Sequence, residues 1–116
     1  GAPCYALSFS ARHPVVTERA DTFVDGIACR QPDPLAVEAI CRGVARVIQV
    51  DDEAVAGAMR ALYQDTHNLA EPAGAIAFAG LMQERERMKL RKVGVVLTGS
   101  NVDLEVLLEA ISNRRP

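Results

Sequence analysis

The chain has 116 residues, 49% of them hydrophobic but only 4% aromatic, with no Trp. That composition excludes a disordered chain and is enough for one core built from Ala, Val, Leu and Ile. With 13 basic against 15 acidic residues the net charge is −2, which lacks the basic footprint of a nucleic-acid or anionic-membrane binder, and no apolar run reaches the ~20 residues of a membrane helix.

In chain order, residues 2–11 are apolar enough for a short helix, with Pro3 tolerated in its first turn and His13-Pro14 ending it. Residues 14–21 read as a loop. Thr22-Phe-Val-Asp25 has the shape of a capping box, and Gly26 is placed to close a single turn. Gln31 to Pro34 is a loop, with Pro34 opening a helix to about Gly43. Val44–Val50 is β-branched and mostly apolar, and predicts a strand. Asp51 and Asp52 then cap a helix whose buried stripe is Val55, Ala58, Met59 and Leu62.

Glu71-Pro-Ala-Gly-Ala75 starts the next helix, with Pro72 at its first position. The run that follows is small and apolar all round, which predicts a buried helix lying close to its neighbours, with a solvated end at Glu84–Arg87. Val93–Thr98 is a continuous apolar run of the kind covered on both faces of a parallel sheet. Thr98-Gly-Ser-Asn101 is a strand-to-helix turn, and Leu104, Leu107, Leu108 and Ile111 give the last amphipathic helix. Two strands against about five helical segments are too few for a sheet of their own, so the pattern predicts helices made to cover a sheet this chain does not supply.

The turn at Thr98–Asn101 is the best site candidate on physical grounds. Ligands of open α/β sheets bind beyond the carboxyl ends of strands, a hydroxyl there can hydrogen-bond them, and Gly99 admits close approach. The competing reading is an ordinary tight turn with Asn101 or Asp103 as N-cap. Glu71 reads either as a carboxylate favoured by the helix dipole or as one held near a cofactor or substrate. Asp25-Gly26 is either a capped turn or a ligand contact. His67 reads as a surface or satisfied histidine, and His13 carries no assignment. Lys89 and Lys92, the chain's two lysines, lie in a charged run without the desolvated pocket that a covalent catalytic lysine needs. No catalytic triad order, zinc pattern or phosphate-cradling glycine run is present. Cys4, Cys29 and Cys41 lack metal-type spacing and read as free thiols of a reducing cytoplasm.

Four segments together carry a resemblance. Thr22-Phe-Val-Asp-Gly-Ile-Ala28 resembles the T-x-A-D-G-I-A segment of pyridoxal-phosphate (PLP) dependent threonine/serine dehydratases. Val47-Ile-Gln-Val-Asp-Asp-Glu53 resembles their strand–(S/D)-D-E–helix junction, Glu71-Pro-Ala-Gly-Ala75 their E-P-A-G-A helix start, and Val95-Val-Leu-Thr-Gly-Ser-Asn-Val-Asp103 their V-L-S-G-G-N-x-D motif. They stand in the family's order over roughly residues 1–110.

The resemblance implies PLP fold type II: a partial three-layer α/β open sheet with covering helices, like the tryptophan synthase β-type large domain, incomplete here. It makes 1–116 a single partial domain, the C-terminal portion of a catalytic domain. It implies elimination and deamination of a hydroxy amino acid to a 2-oxo acid. Thr98 stands where the family's Ser or Cys hydrogen-bonds the pyridine nitrogen, and Ser100 replaces the second Gly of S-G-G-N. Glu71 takes the near-cofactor glutamate position and Gly26 the backbone beside the cofactor. With Gly99 these five are the expected cofactor-binding residues. The family's cofactor-bearing lysine, substrate-carboxylate loop and phosphate cradle precede this region, so no catalytic residue is expected here. The chain alone is expected to be inactive and not to hold PLP. Some relatives bind a divalent cation near the segment aligning with Gly1–Cys4; Cys4 replaces the expected carboxylate, so no metal is expected. The implied partners are the N-terminal part of the catalytic domain, an amino-acid substrate and a second copy of the chain. The alternatives are a non-catalytic assembly or binding module derived from this fold, and a portion of a serine racemase-like enzyme.

Overall fold

The computed structural model describes residues 1–112 and divides the chain into two compact units, each considered by itself. The first comprises Gly1–Thr22 and Ile27–Gln49; the second comprises Phe23–Gly26 and the chain from Val50 onward.

In the first unit, α1 (Cys4–Ala11) packs against α2 (Pro34–Gly43). Pro3 sits at the N-cap of α1, where its missing N–H costs nothing, and Arg12 ends the helix in the left-handed region at φ 64°. α2 has Pro34 at its first position, and the Asp33 carboxylate accepts from the Ala36 N–H at 2.8 Å. The loop between the helices is tied down by polar contacts. Ser8, buried, donates to the Cys4 carbonyl (2.6 Å) and accepts from the Val15 N–H (2.9 Å). The Thr17 N–H donates to the Arg30 carbonyl (2.9 Å), and the Asp33 N–H to the Tyr5 hydroxyl (3.2 Å).

The second unit holds α3 (Asp52–Thr66), α4 (Pro72–Gln83) and α5 (Leu104–Ile111). Asp51 caps α3 by accepting from the Ala54 N–H at 2.7 Å, and Asp52 and Glu53 add acidic charge to the first turn. At the other end His67 takes a left-handed conformation, φ 56°. The core is Val24, Val55, Ala58, Met59, Ala70, Ala75, Ala79 and Ala110, with Leu62, Phe78 and Leu107 packed around it. Small residues on α4 let α3 lie close, so the aromatic-poor composition is spent on close helix approach. Arg60 of α3 donates to the Ala110 carbonyl at 2.6 Å and ties α3 to the last turn of α5.

Several expectations need correction. Among the described residues no strand ladder forms, so the two expected strands, at 44–50 and 93–98, do not form as strands. Residues 46–50 and 92–100 are irregular, because an extended run becomes a strand only when a neighbouring backbone takes up its N–H and C=O groups. Both faces of the second run are exposed: Val95, Val96 and Leu97 are 38%, 71% and 39% accessible. α4 is not buried all round. Gly74, Ala75, Ala79 and Gly80 face inward, while Ala77 and Met82 face out. On α5 it is Ala110 that is buried and Leu107 that packs on the core, while Leu104 and Leu108 lie exposed at 67% and 55%. The turn expected over residues 22–25 forms as a 3-10 turn at Asp25–Ile27, with the Asp25 N–H donating to the Phe23 carbonyl.

Candidate functional site

The N-terminal end of α4 gathers three segments of the second unit. Pro72 fixes the helical φ at the first position, and Glu71, at the N-cap, is extended (φ −69°, ψ 162°). Its carbonyl accepts from the Ala75 N–H at 3.0 Å, and its own N–H donates to the Gly99 carbonyl at 3.1 Å. That last bond joins the Thr98–Asn101 turn to the start of the helix. The Glu71 side chain makes no capping bond to the helix.

Three glycines make this junction possible. A methyl group on Gly99 would run into the Glu71 carboxylate. One on Gly74 would run into the Gly99 carbonyl, and one on Gly26 would stand 2.8 Å from the Ala73 Cβ. Each is a place where only hydrogen fits between two backbones or a backbone and a side chain. The Phe23 N–H donates to the Asp52 carboxylate at 3.3 Å, which ties the segment ahead of Gly26 to the start of α3.

Beside the junction lies an open cleft of about 280 Å³, lined by Phe23, Gly26, Glu71, Asn101 and Val106 together with Asp25 and Asp103. Of the five residues expected from the sequence, Gly26 and Glu71 line this cleft. Gly99 lies against Glu71 without lining the cleft, and Thr98 and Ser100, both exposed, are not among its lining residues. The structure thus brings Gly26, Glu71 and Gly99 together at one helix end. Gly74 stands within the Glu71–Ala75 motif but was assigned no role from the sequence; it admits the Gly99 carbonyl. Sequence reasoning also missed Phe23 and Val106, two of the cleft's apolar lining residues; neither carries a motif signal. Asp103 was legible only as a helix cap, and it stands at the N-cap of α5 without a side-chain capping bond.

The cleft is acidic or uncharged. Three carboxylates suit a neutral ring edge and oppose a phosphate dianion. The cleft's donor set thus leaves room for an uncharged group and none for a phosphate, which other groups would have to hold. Lys89 and Lys92 are exposed in the stretch after α4. Among the described residues no group of three or more His, Cys, Asp or Glu could hold a metal ion, and no helix is long and apolar enough to cross a membrane.

Solved structures give the class of protein. The chain superposes on the processed form of threonine deaminase isoform 2 from Solanum lycopersicum with a TM-score of 0.86 at 25% identity, covering 97% of this chain and 33% of that one. It superposes on maize serine racemase with a TM-score of 0.83 at 28% identity, covering 97% of this chain and 36% of that one. These neighbours are PLP fold type II enzymes, and this chain superposes on about a third of each. Among curated proteins, the biosynthetic L-threonine dehydratase of Salmonella typhimurium is 30% identical over 90% of this chain and 21% of its own length. The L-threonine ammonia-lyase of Thermotoga maritima is 31% identical over 78% and 22%. A family model described as pyridoxal-phosphate dependent enzyme matches residues 1–99, and the chain belongs to that family. It spans about a fifth of the length of these curated relatives.

Proposed function

We propose that this chain is the C-terminal portion of the catalytic domain of a PLP-dependent threonine/serine dehydratase, an ammonia-lyase that converts a hydroxy amino acid to a 2-oxo acid and ammonia. The observation that carries the reading is the junction at the start of α4, where Gly26, Glu71 and Gly99 meet around one hydrogen bond, Glu71 N–H to Gly99 carbonyl. When bound, PLP supplies an electron sink for the carbon from which the substrate proton leaves. This chain's residues supply the wall beside the ring. The Thr98 hydroxyl would hold the ring at its pyridine nitrogen and, being neutral, would leave that nitrogen unprotonated. Glu71, held against Gly99, would set negative potential beside the ring.

The lysine, the phosphate cradle and the substrate-carboxylate loop come from the rest of the catalytic domain, which also covers the exposed run at Val95–Leu97. The whole protein is a cytoplasmic homo-oligomer in this reading. The chain by itself is inactive. With PLP and threonine it should show no 2-oxo acid formation and no borohydride-fixed cofactor on Lys89 or Lys92, while a polypeptide extended through the missing part should show both fixation and turnover. Stoichiometric fixation on either lysine of the 116-residue chain, with turnover, overturns the proposal.

A further inference from the structure

In the second unit, the charged segment after α4 carries more cations than it pairs. Arg85 lies 3.7 Å from Glu86 and Arg87 lies 3.6 Å from Glu84, which engages both anions of the segment. Lys89, Arg91 and Lys92 are exposed and form no ion pair among the described residues. Between them Leu90 is fully exposed, at 100%, with its backbone in the left-handed region at φ 63°. A leucine enters that region at a cost, and no burial of its side chain within the chain offsets it. Val96, exposed on the run that follows, widens the apolar part of this patch. α5 presents the opposite charge. Leu107 and Ala110 turn inward, while Leu104 and Leu108, one turn apart, lie exposed beside Glu105 and Glu109, and Asp103 is exposed at the N-cap. These three carboxylates likewise form no ion pair among the described residues.

We infer that the Lys89–Lys92 segment of one copy of this chain docks on the exposed Leu104–Glu109 face of α5 in a second copy. Three unpaired cations around an exposed leucine meet three unpaired carboxylates around two exposed leucines. The complementarity is satisfied between copies, because within one chain neither group pairs with the other. A single exposed ion pair contributes little. Charge therefore selects and orients the partner, while burial of Leu90, Leu104 and Leu108 supplies the greater part of the affinity. Each copy carries both patches, so the contact is either reciprocated in a closed pair or passed on head to tail. The inference concerns the chain itself and does not rest on the proposed catalytic role.

Sedimentation of the 116-residue chain tests this. The native chain should associate as its concentration rises toward about 0.5 mM, the range of weak contacts. Raising salt from about 0.02 M to about 0.5 M should weaken that association at least about tenfold, because exposed charges are screened. The double variant Glu105→Lys, Glu109→Lys and the triple variant Lys89→Glu, Arg91→Glu, Lys92→Glu should each be monomeric alone. Mixed one to one they should associate, since each offers the charge that the other lacks. Leu90→Asn, which a left-handed backbone tolerates, should weaken the native association at least about tenfold without disturbing the fold. A chain ending at Ser112, without Arg114 and Arg115, should associate at least as tightly as the full one. A native chain that stays monomeric, association indifferent to salt or to Leu90→Asn, folded charge variants that stay apart when mixed, or weaker association of the chain ending at Ser112 would each overturn the inference. The salt series and Leu90→Asn decide the matter even if a charge-reversed variant fails to fold.

Discussion

Replacing Gly74 with alanine probes the crowded start of α4, and Gly57 provides its internal control. Both glycines lie within helices, so alanine gains helix propensity at each, by up to roughly 0.8–1 kcal/mol at the interior position 57 and by less at 74, in the first turn of α4. They differ in what the new methyl meets. At Gly57 its nearest neighbour is the Arg60 guanidinium at 3.6 Å, an ordinary contact with a flexible side chain. At Gly74 it meets the carbonyl of Gly99, a backbone group held by the Glu71 N–H. Forcing a methyl group into a filled site typically costs about 1–3 kcal/mol. Gly57→Ala should therefore stabilise by about 0.5–1 kcal/mol, whereas Gly74→Ala should range from neutral to about 2 kcal/mol destabilising. Urea unfolding followed by far-ultraviolet circular dichroism reads both. The Glu71 amide should also exchange faster with solvent in Gly74→Ala, since its acceptor is displaced. Equal stabilisation by the two substitutions would refute the close approach of α4 to the Thr98–Asn101 turn, and with it the geometry on which the site rests.

In the complete enzyme, Thr98→Val should lower kcat by roughly tenfold to a hundredfold, the kinetic equivalent of losing a hydrogen bond of about 1–3 kcal/mol, while Thr98→Ser should restore most of it. Glu71→Gln should change stability by less than about 1 kcal/mol, since the carboxylate interacts with the helix only through its dipole, yet impair turnover in the complete enzyme; steady-state kinetics beside a urea melt separates the two. Asp51→Ala should cost about 1 kcal/mol in the same melt by removing the cap of α3. Because burial makes the folded Cys4 thiol ionise above its ordinary value of 9.0, the folded state keeps a proton that the unfolded state has lost. That contribution is complete below about pH 9 and falls away as pH rises further, so Cys4→Ala should flatten the alkaline loss of stability in urea melts across that range.

The helices were legible because their ends carry chemistry. Asp33-Pro34, Asp51 and Glu71-Pro72 each announce a helix start, and the structure begins α2, α3 and α4 there. The inward face of α5 was misread because leucine outweighs alanine in any periodicity. What decides the face is the proximity of α3, which only Ala110 is small enough to permit. The strands were misread for a different reason. Valine-rich runs state a preference for extended backbone, but pairing is a property of two chain segments, and the sequence of one run cannot show whether its partner is present. At the site, Glu71, Gly74 and Gly99 all stand in motifs, but the role of Gly74 was not legible, because it is defined by a carbonyl 25 positions further along the chain.

The exposed run at Val95–Leu97 and the crowded junction at Glu71 bear on one another through Gly99. The run leads directly into the turn whose carbonyl is held by the Glu71 N–H. Its end is therefore fixed against α4, while its faces are left to water. An apolar extended segment anchored at one end costs little to order further, because part of its backbone entropy has already been lost. Strands added on both sides would take up its N–H and C=O groups and cover Val96, and the Thr98 hydroxyl would then stand at the carboxyl end of a central strand, where ligands of α/β sheets bind. Val96→Lys distinguishes this arrangement by sign. In the isolated chain the lysine replaces an exposed apolar side chain and should reduce self-association in sedimentation. In the complete enzyme it buries a charge against neighbouring strands and should destabilise by at least several kcal/mol, or prevent folding. A complete enzyme indifferent to Val96→Lys would mean that nothing covers this run, and Thr98 would lose its claim to a site at the end of a strand.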